Sequence, residues 1–244
     1  MKESEIPISE IFVTLQGEGP HAGKPALFIR VGGCNLACPT CDAWYTVPRL
    51  LKLRGEKPQW TNLETEEVLI EIEELLAKHP MVKHIVISGG EPLIYQEKLL
   101  KLIGMLKDTN LYNYAEIEWE TNGTYIPTSG IDAVTNYYDV SPKLMTFGGV
   151  DVSERIVPKV LQWFNNSDKA IFKWVVCNDI DVGELLDIVV PLNLDNDKIW
   201  VMPEGDTEER IAQTGRICAE ACKKYGWKLS WRLQTPLWGT ARGT

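Results

Sequence analysis

The segment Gly33-Cys34-Asn35-Leu36-Ala37-Cys38-Pro39-Thr40-Cys41-Asp42 carries three cysteines at the spacing C-x3-C-x2-C. Three thiolates on one loop can converge on one face of a four-iron cubane, each binding one iron, and leave the fourth iron without a cysteine. An open coordination position binds and activates a small molecule, whereas a fully ligated cluster mainly transfers electrons. A structural zinc site would need four ligands in a closed tetrahedron, and the nearest histidine, His21, stands thirteen residues upstream of Cys34. The donor set favours iron over zinc. A disulfide reading is weaker still, because the N-terminal Met1-Lys2-Glu3-Ser4-Glu5-Ile6-Pro7 is acidic and lacks an apolar signal core, which implies a reducing, cytoplasmic setting.

Outward from this loop, β-prone and amphipathic runs alternate. Residues 26–31 read as a strand that Gly32-Gly33 releases into the cysteine loop. Residues 65–79 read as a helix, with Val68, Leu69, Ile72, Leu75 and Leu76 at helical spacing. A strand at 83–88 ends in Gly89-Gly90, a helix fills 96–107, and a strand at 116–120 ends in Asn122-Gly123. Further strands are expected at 137–140, 171–176, 199–202 and 228–233, and helices at 152–165, 182–190 and 208–225. Strands alternating with helices imply a mostly parallel sheet. With 244 residues and no linker or repeat, the expectation is an α/β fold, one domain over 1–244, built as an incomplete TIM-type barrel.

Polar and glycine-bearing signals sit just after several strands, where parallel sheets place their ligands. They are Ser88-Gly89-Gly90-Glu91-Pro92, Glu120-Thr121-Asn122-Gly123, Ser141-Pro142-Lys143 and Met202-Pro203-Glu204-Gly205. Each alone is explained equally by a turn. Four at one sheet edge make a pocket. Cys218 and Cys222, four apart on a helix, and Cys177 read as packing residues, because a second cluster would want about four thiolates together.

The 25 Lys and Arg against 34 Asp and Glu leave a net charge of −9, which gives no electrostatic hold on a polyphosphate, so no nucleic-acid partner is expected. No apolar stretch approaches the roughly 20 residues of a membrane span, so no membrane partner is expected either.

The cysteine spacing resembles that of the radical S-adenosylmethionine (SAM) superfamily. Glu10-Ile11-Phe12-Val13-Thr14-Leu15-Gln16-Gly17-Glu18-Gly19-Pro20 and Ala26-Leu27-Phe28-Ile29-Arg30-Val31-Gly32-Gly33-Cys34 narrow the likeness. Together with the strand-end motifs and Leu237-Trp238-Gly239, they make nearly the whole chain resemble the 7-carboxy-7-deazaguanine synthase family. That resemblance implies a radical SAM core and a reaction converting 6-carboxy-5,6,7,8-tetrahydropterin to 7-carboxy-7-deazaguanine with loss of ammonia, in biosynthesis of queuosine-type nucleosides. A 5′-deoxyadenosyl radical would take hydrogen from carbon 6 of the pterin, the ring would contract, and no protein nucleophile would be needed.

By the same resemblance, Cys34, Cys38 and Cys41 hold a 4Fe-4S cluster. Gly89, Gly90, Glu91, Asn122, Ser141 and Lys143 meet SAM, with Glu91 suited to accept from its ammonium group. Gln16, Glu18, Arg30 and Glu120 meet the pterin, for which Arg30 offers a bidentate fork to the carboxylate. A homodimer and an electron donor such as a flavodoxin are further implications. Two positions depart from the family: Thr40 replaces its usual aromatic residue, and Ala43 replaces the hydroxyl residue that contributes a magnesium ligand. Thr40, Thr46 or water would have to supply the oxygen for Mg2+, so weakened magnesium stimulation is expected. A glycyl-radical-enzyme activase shares the cluster spacing, but Gln16-Gly17-Glu18-Gly19 with Arg30 suits a small acid and has no use on a glycyl loop. A zinc- or cluster-holding interaction module is the non-enzymatic rival, separable by colour.

Overall fold

The computed structural model describes residue 2 and residues 4–109, 115–148 and 151–244. Its strands are β1 (Glu5–Leu15), β2 (Pro25–Val31), β3 (Thr61–Glu64), β4 (His84–Gly89), β5 (Glu116–Thr121), β6 (Tyr137–Val140), β7 (Ala170–Val176), β8 (Ile199–Pro203) and β9 (Lys228–Leu229). They form one sheet in the order β3-β1-β2-β4-β5-β6-β7-β8-β9. β1 runs antiparallel to β2 and β3, and every pairing from β2 to β9 is parallel. The two end strands do not pair, so the barrel is open. This is the partial barrel expected of a radical SAM core.

Successive side chains point to opposite faces, and the sequence uses the two faces differently. Leu27, Ile29 and Val31, then Ile85 and Ile87, Ile117 and Trp119, Tyr138 and Val140, and Phe172 and Trp174 belong to one large apolar core. The alternate residues give only a small apolar cluster, Ala26, Phe28 and Val86 with Phe12. Arg30, Ser88, Glu118, Glu120, Asp139 and Lys173 occupy the rest of that second face. One side of the sheet is thus covered by helices, and the concave side is charged.

α1 (Pro48–Arg54) packs on the turn Trp44–Thr46 that follows the cysteine loop, while the covering helices include α2 (Thr65–Lys78) and α3 (Gln96–Lys107), with Val68, Ile72 and Leu76 of α2 buried against the sheet. α2 begins in a capping box, Glu67 accepting from the Glu64 N–H at 2.8 Å. The short α4 (Ser129–Val134) and α5 (Met145–Gly148) flank β6. The helix expected over 152–165 is two, α6 (Val152–Arg155) and α7 (Pro158–Asn165). Pro158 has no N–H to give and drives Val157 to extended φ −109°, ψ 94°. α8 (Asp179–Val189) starts earlier than expected because the Asn178 side chain caps it. α9 (Glu208–Tyr225) ends at Gly226, φ 75°. None of the described helices is long and apolar enough to cross a membrane.

Two corrections bear on function. The strand expected over 228–233 pairs only at Lys228–Leu229; beyond it the chain turns inward and leads into α10 (Gln234–Trp238). β1 was not expected as a strand at all. Because β1 is antiparallel, the loop 16–24 that follows it folds across the open side: the Gly19 N–H donates to Ser230 Oγ (2.8 Å) and the Leu233 N–H to the Gly17 carbonyl (3.0 Å).

Candidate active site

The strand ends and the cysteine loop enclose a cavity of about 440 Å³ on the concave face. Cys34, Cys38 and Cys41 all line it as free thiols, Cys38 buried and the others partly so. Burial pushes the Cys34 and Cys41 thiols up to about 12. Such thiols become ligands only when a bound cation displaces their protons, which a clustered iron does. Three sulfurs facing one cavity fit a cubane with one free iron better than a closed zinc tetrahedron.

The glycine turn after β4 sits directly on this loop. The Gly90 N–H donates to the Val31 carbonyl (2.9 Å) and the Glu91 N–H to the Gly33 carbonyl (2.8 Å). A Cβ on Gly90 would stand 2.0 Å from the Gly33 oxygen and 3.1 Å from the Cys34 nitrogen, both backbone atoms. Gly90→Ala is therefore expected to push the cysteine loop away, costing about 1–3 kcal/mol of stability and lowering iron content per chain. Thermal melts and iron assays of the purified variant check both.

Glu91 is fully buried, and its carboxylate is already engaged. Oε1 accepts from the Leu93 N–H (3.0 Å) and Thr121 Oγ1 (2.8 Å), and Oε2 from the Asn122 N–H (2.6 Å). Burial pushes its pKa up to about 7. It braces the end of β4 against the end of β5 and is not among the cavity's lining residues. Asn122 does line the cavity, its Nδ2 donating to Asn35 (3.0 Å) and lying 3.8 Å from Cys34 Sγ. Gly89, Gly90, Ser141 and Lys143 are there too, with Lys143 Nζ donating to Ser141 Oγ (2.9 Å).

The four residues expected around a planar acid also meet in this cavity. Arg30 Nε lies 2.9 Å from Glu10 Oε2, which fixes one end of the guanidinium. Glu120 accepts from Ser88 Oγ (2.5 Å) and from Gln16 Nε2 (3.2 Å). Gln16 also donates to Glu118 Oε1 (2.6 Å), while its own Oε1 accepts the Glu18 N–H (3.2 Å). The amide therefore has one polarity, oxygen toward the loop. Glu18 has Lys173 Nζ at 2.8 Å, Arg232 Nε at 3.3 Å and a hydrogen bond from Gln234 (2.6 Å). Burial pushes its carboxyl up, but Lys173 and Arg232 outweigh that and hold it at about 2.

Sequence reasoning missed Lys173, Asp139, Arg232 and Gln234. Lys173 alone carried a signal, a charge in the middle of the apolar run 171–176. Its ammonium is shared, 2.7 Å from Asp139 Oδ2 as well as 2.8 Å from Glu18. Asp139 has no second cation, and its buried Oδ1 has no hydrogen-bond partner. Burial, with the charges of Glu120 and Glu118, outweighs Lys173 and raises its pKa from 3.8 to about 7. Between those values the folded chain keeps a proton that the unfolded chain has lost, so stability falls as pH rises through this window and levels off above it. The slope is at most about 1.4 kcal/mol per pH unit. Asp139→Asn, which mimics the protonated acid, is expected to remove that contribution; melts of both proteins from about pH 5 to about pH 8 check it.

Of the hydroxyls offered for magnesium, Thr46 is fully buried and donates to the Ala43 carbonyl (2.7 Å). Thr40 is exposed and lines the cavity. Ala43 brings no side-chain oxygen.

Residues 28–156 match the family model described as the radical SAM superfamily. The chain is 34% identical to the 7-carboxy-7-deazaguanine synthase of Pyrobaculum aerophilum over 242 residues, covering 98% of this chain and 97% of that one. It is 32% identical to the Rhodopirellula baltica protein of the same name, covering 99% and 90%. Among solved structures, QueE from Escherichia coli superposes with a TM-score of 0.67 at 29% identity over 94% of each chain. The enzyme anSMEcpe with bound AdoMet, at 16% identity and TM-score 0.54 over 86% of this chain and 66% of that one, shares the fold.

Proposed function

The chain belongs to the 7-carboxy-7-deazaguanine synthase family of the radical SAM superfamily, and from that premise we propose how its residues divide the work. The reaction converts 6-carboxy-5,6,7,8-tetrahydropterin to 7-carboxy-7-deazaguanine with loss of ammonia. The cluster and SAM, when bound, supply the one-electron cleavage that starts it. Everything else is positioning.

Cys34, Cys38 and Cys41 hold the 4Fe-4S cluster. Gly89 and Gly90 let backbone approach SAM closely, with Asn122, Ser141 and Lys143 offering polar contacts around it. Glu91 braces this site, accepting from Thr121 and Leu93 on Oε1 and from Asn122 on Oε2, and the second lone pair of Oε2 is left for the SAM ammonium group. Arg30, tethered at Nε by Glu10, turns its remaining fork to the pterin carboxylate. Gln16, its Nε2 donating to Glu118 and Glu120 and its Oε1 accepting the Glu18 N–H, keeps a second Oε1 lone pair for a ring N–H. Glu120 accepts from the exocyclic amine, and Glu18, pinned by Lys173 and Arg232, fixes the loop beneath the ring. The supporting observation is that the cysteine loop and these four side chains line the same cavity. A buried charged pocket of this size suits a small acid, and nothing in it suits a protein glycine.

The family's magnesium position holds Ala43, and Thr40 is the side-chain hydroxyl nearby that lines the cavity, so stimulation by Mg2+ is expected to be weak. We further propose one domain, a homodimer in the cytoplasm, and a flavodoxin-type electron donor. The test is anaerobic turnover of the reduced, cluster-loaded protein with the carboxypterin and SAM, with and without Mg2+, read by the deazapurine ultraviolet spectrum. Arg30→Lys, which keeps charge but loses the fork, is expected to raise KM for the carboxypterin about 10- to 100-fold. Absence of deazapurine product from the wild type overturns the assignment.

A further inference from the structure

Below the pocket, at the start of β4 and β5, His21, His84 and Glu118 bring three ligand atoms together. His21 Nδ1 lies 2.5 Å and His84 Nε2 3.0 Å from Glu118 Oε2, and all three atoms are within 4.8 Å of one another. His84 and Glu118 are buried, and His21 arrives from the loop 16–24. We propose that this triad is a binding site for a divalent transition-metal ion of the zinc class, separate from the cysteine cluster.

The donor chemistry comes first. Two imidazole nitrogens and one carboxylate are the three-ligand set of open zinc and non-haem iron sites. Mg2+ prefers oxygen ligands alone, so the set does not describe the family's magnesium.

The outer partners match as well. Metal-binding histidines usually turn their second nitrogen to a carboxylate, and metal-binding carboxylates are hydrogen-bonded on their free oxygen. His84 Nδ1 is buried, has no hydrogen-bond partner, and faces Glu116 Oε2 at 3.5 Å. If His84 merely donates its Nε2–H to Glu118, a neutral ring leaves Nδ1 as a buried acceptor without a donor. An ion on Nε2 puts the proton on Nδ1, where it faces the Glu116 carboxylate at 3.5 Å, a favourable contact in place of a lone pair facing a carboxylate. Glu118 Oε1, the oxygen away from the histidines, accepts from Gln16 Nε2 at 2.6 Å.

There is also room. A cavity of about 30 Å³ is lined by His21 and Glu118, with Tyr137 and Asp139 among others but not His84, enough for one water as a fourth ligand. Tetrahedral ligands sit about 3.3 Å apart, so His21 must withdraw from Glu118 by under an ångström, a shift its loop can make. Such an ion ties the loop bearing Gln16 and Glu18 to β4 and β5, and so holds the floor of the pocket.

The experiment is metal analysis with zinc-edge X-ray absorption on the anaerobically purified, cluster-loaded protein after dialysis against zinc. About one zinc per chain, with imidazole scattering and no sulfur shell, is the expected result. It should survive in the Cys34→Ser/Cys38→Ser/Cys41→Ser protein and vanish in His21→Ala, whose iron content stays at the wild-type level. Gln16→Ala should weaken zinc affinity by about 10-fold or more through the lost outer hydrogen bond. His21 lies on a partly exposed loop, so its removal tests the site even if Glu118→Gln fails to fold. No zinc uptake by the wild type, or zinc that shows sulfur scattering and disappears with the cysteines, overturns the proposal. These readouts need no turnover, so failure of the deazaguanine reading leaves them interpretable.

Discussion

Replacing any one of Cys34, Cys38 or Cys41 by alanine is expected to abolish both deazaguanine formation and SAM cleavage. The reason is geometric. The spacing provides three thiolates for four irons, so losing one exposes a second iron and leaves the cluster on two protein bonds. No other thiol can substitute. Cys218 is a fully buried member of the main core on α9, Cys222 packs against that core, and Cys177 is buried at the end of β7, all on elements other than the cluster loop. Iron content, the broad visible absorption of the cluster and SAM cleavage should therefore fall together in the three variants. Cys177→Ser and Cys222→Ser should keep all three. Substantial SAM cleavage by Cys38→Ala, or a colourless wild type holding zinc on sulfur, would contradict this account.

What could be read from the chain divides along the range of the interaction. The cysteine spacing, the Gly89-Gly90 turn and the strand ends at Asn122 and Ser141 are local patterns whose physical meaning survives without knowing the fold. The parallel sheet then places them together. The Arg30, Glu120, Gln16 and Glu18 group was reached through family resemblance, since no spacing rule joins residues 16 and 120. The concave face was not legible. Glu118, Asp139 and Lys173 lie on three different strands, and Arg232 and Gln234 reach Glu18 from over 200 residues away. Periodicity identifies two faces of a strand but does not say that one of them lines a charged cavity. Glu91 shows a different limit. Its position after two glycines reads as a ligand contact, and the sequence does not show that the backbone N–H groups of Leu93 and Asn122 also bond to its carboxylate. Local donors are always nearby, and a sequence does not show which of them a carboxylate will choose.

Lys173→Met is expected to be the most destabilising single change on the concave face, by about 3–5 kcal/mol. Methionine conserves length and apolar stem, so the loss is the ammonium itself. Without it Glu18 still has Arg232 and the Gln234 amide, but Asp139 has no cation left and lies among Glu120 and Glu118. Asp139 escapes by holding its proton to higher pH, so the variant should lose stability further as pH rises past the wild type's window. Adding Asp139→Asn removes the charge that Lys173 neutralised, and the double variant should recover part of the loss. That recovery, measured as a coupling free energy in a thermal or urea double-mutant cycle, separates the ion pair from simple packing. Function should respond through Glu18, whose loop loses one of two cationic anchors: KM for the carboxypterin is expected to rise more than kcat falls, because Lys173 acts on the pocket through Glu18 and Asp139 and stands on β7, away from the cysteine loop in sequence. If Lys173→Met were as stable as wild type and the double variant no better than the single, the charged concave face would be surface-like and solvated. The interlocking of Glu18, Lys173 and Asp139 would then not be what shapes the substrate side of the cavity.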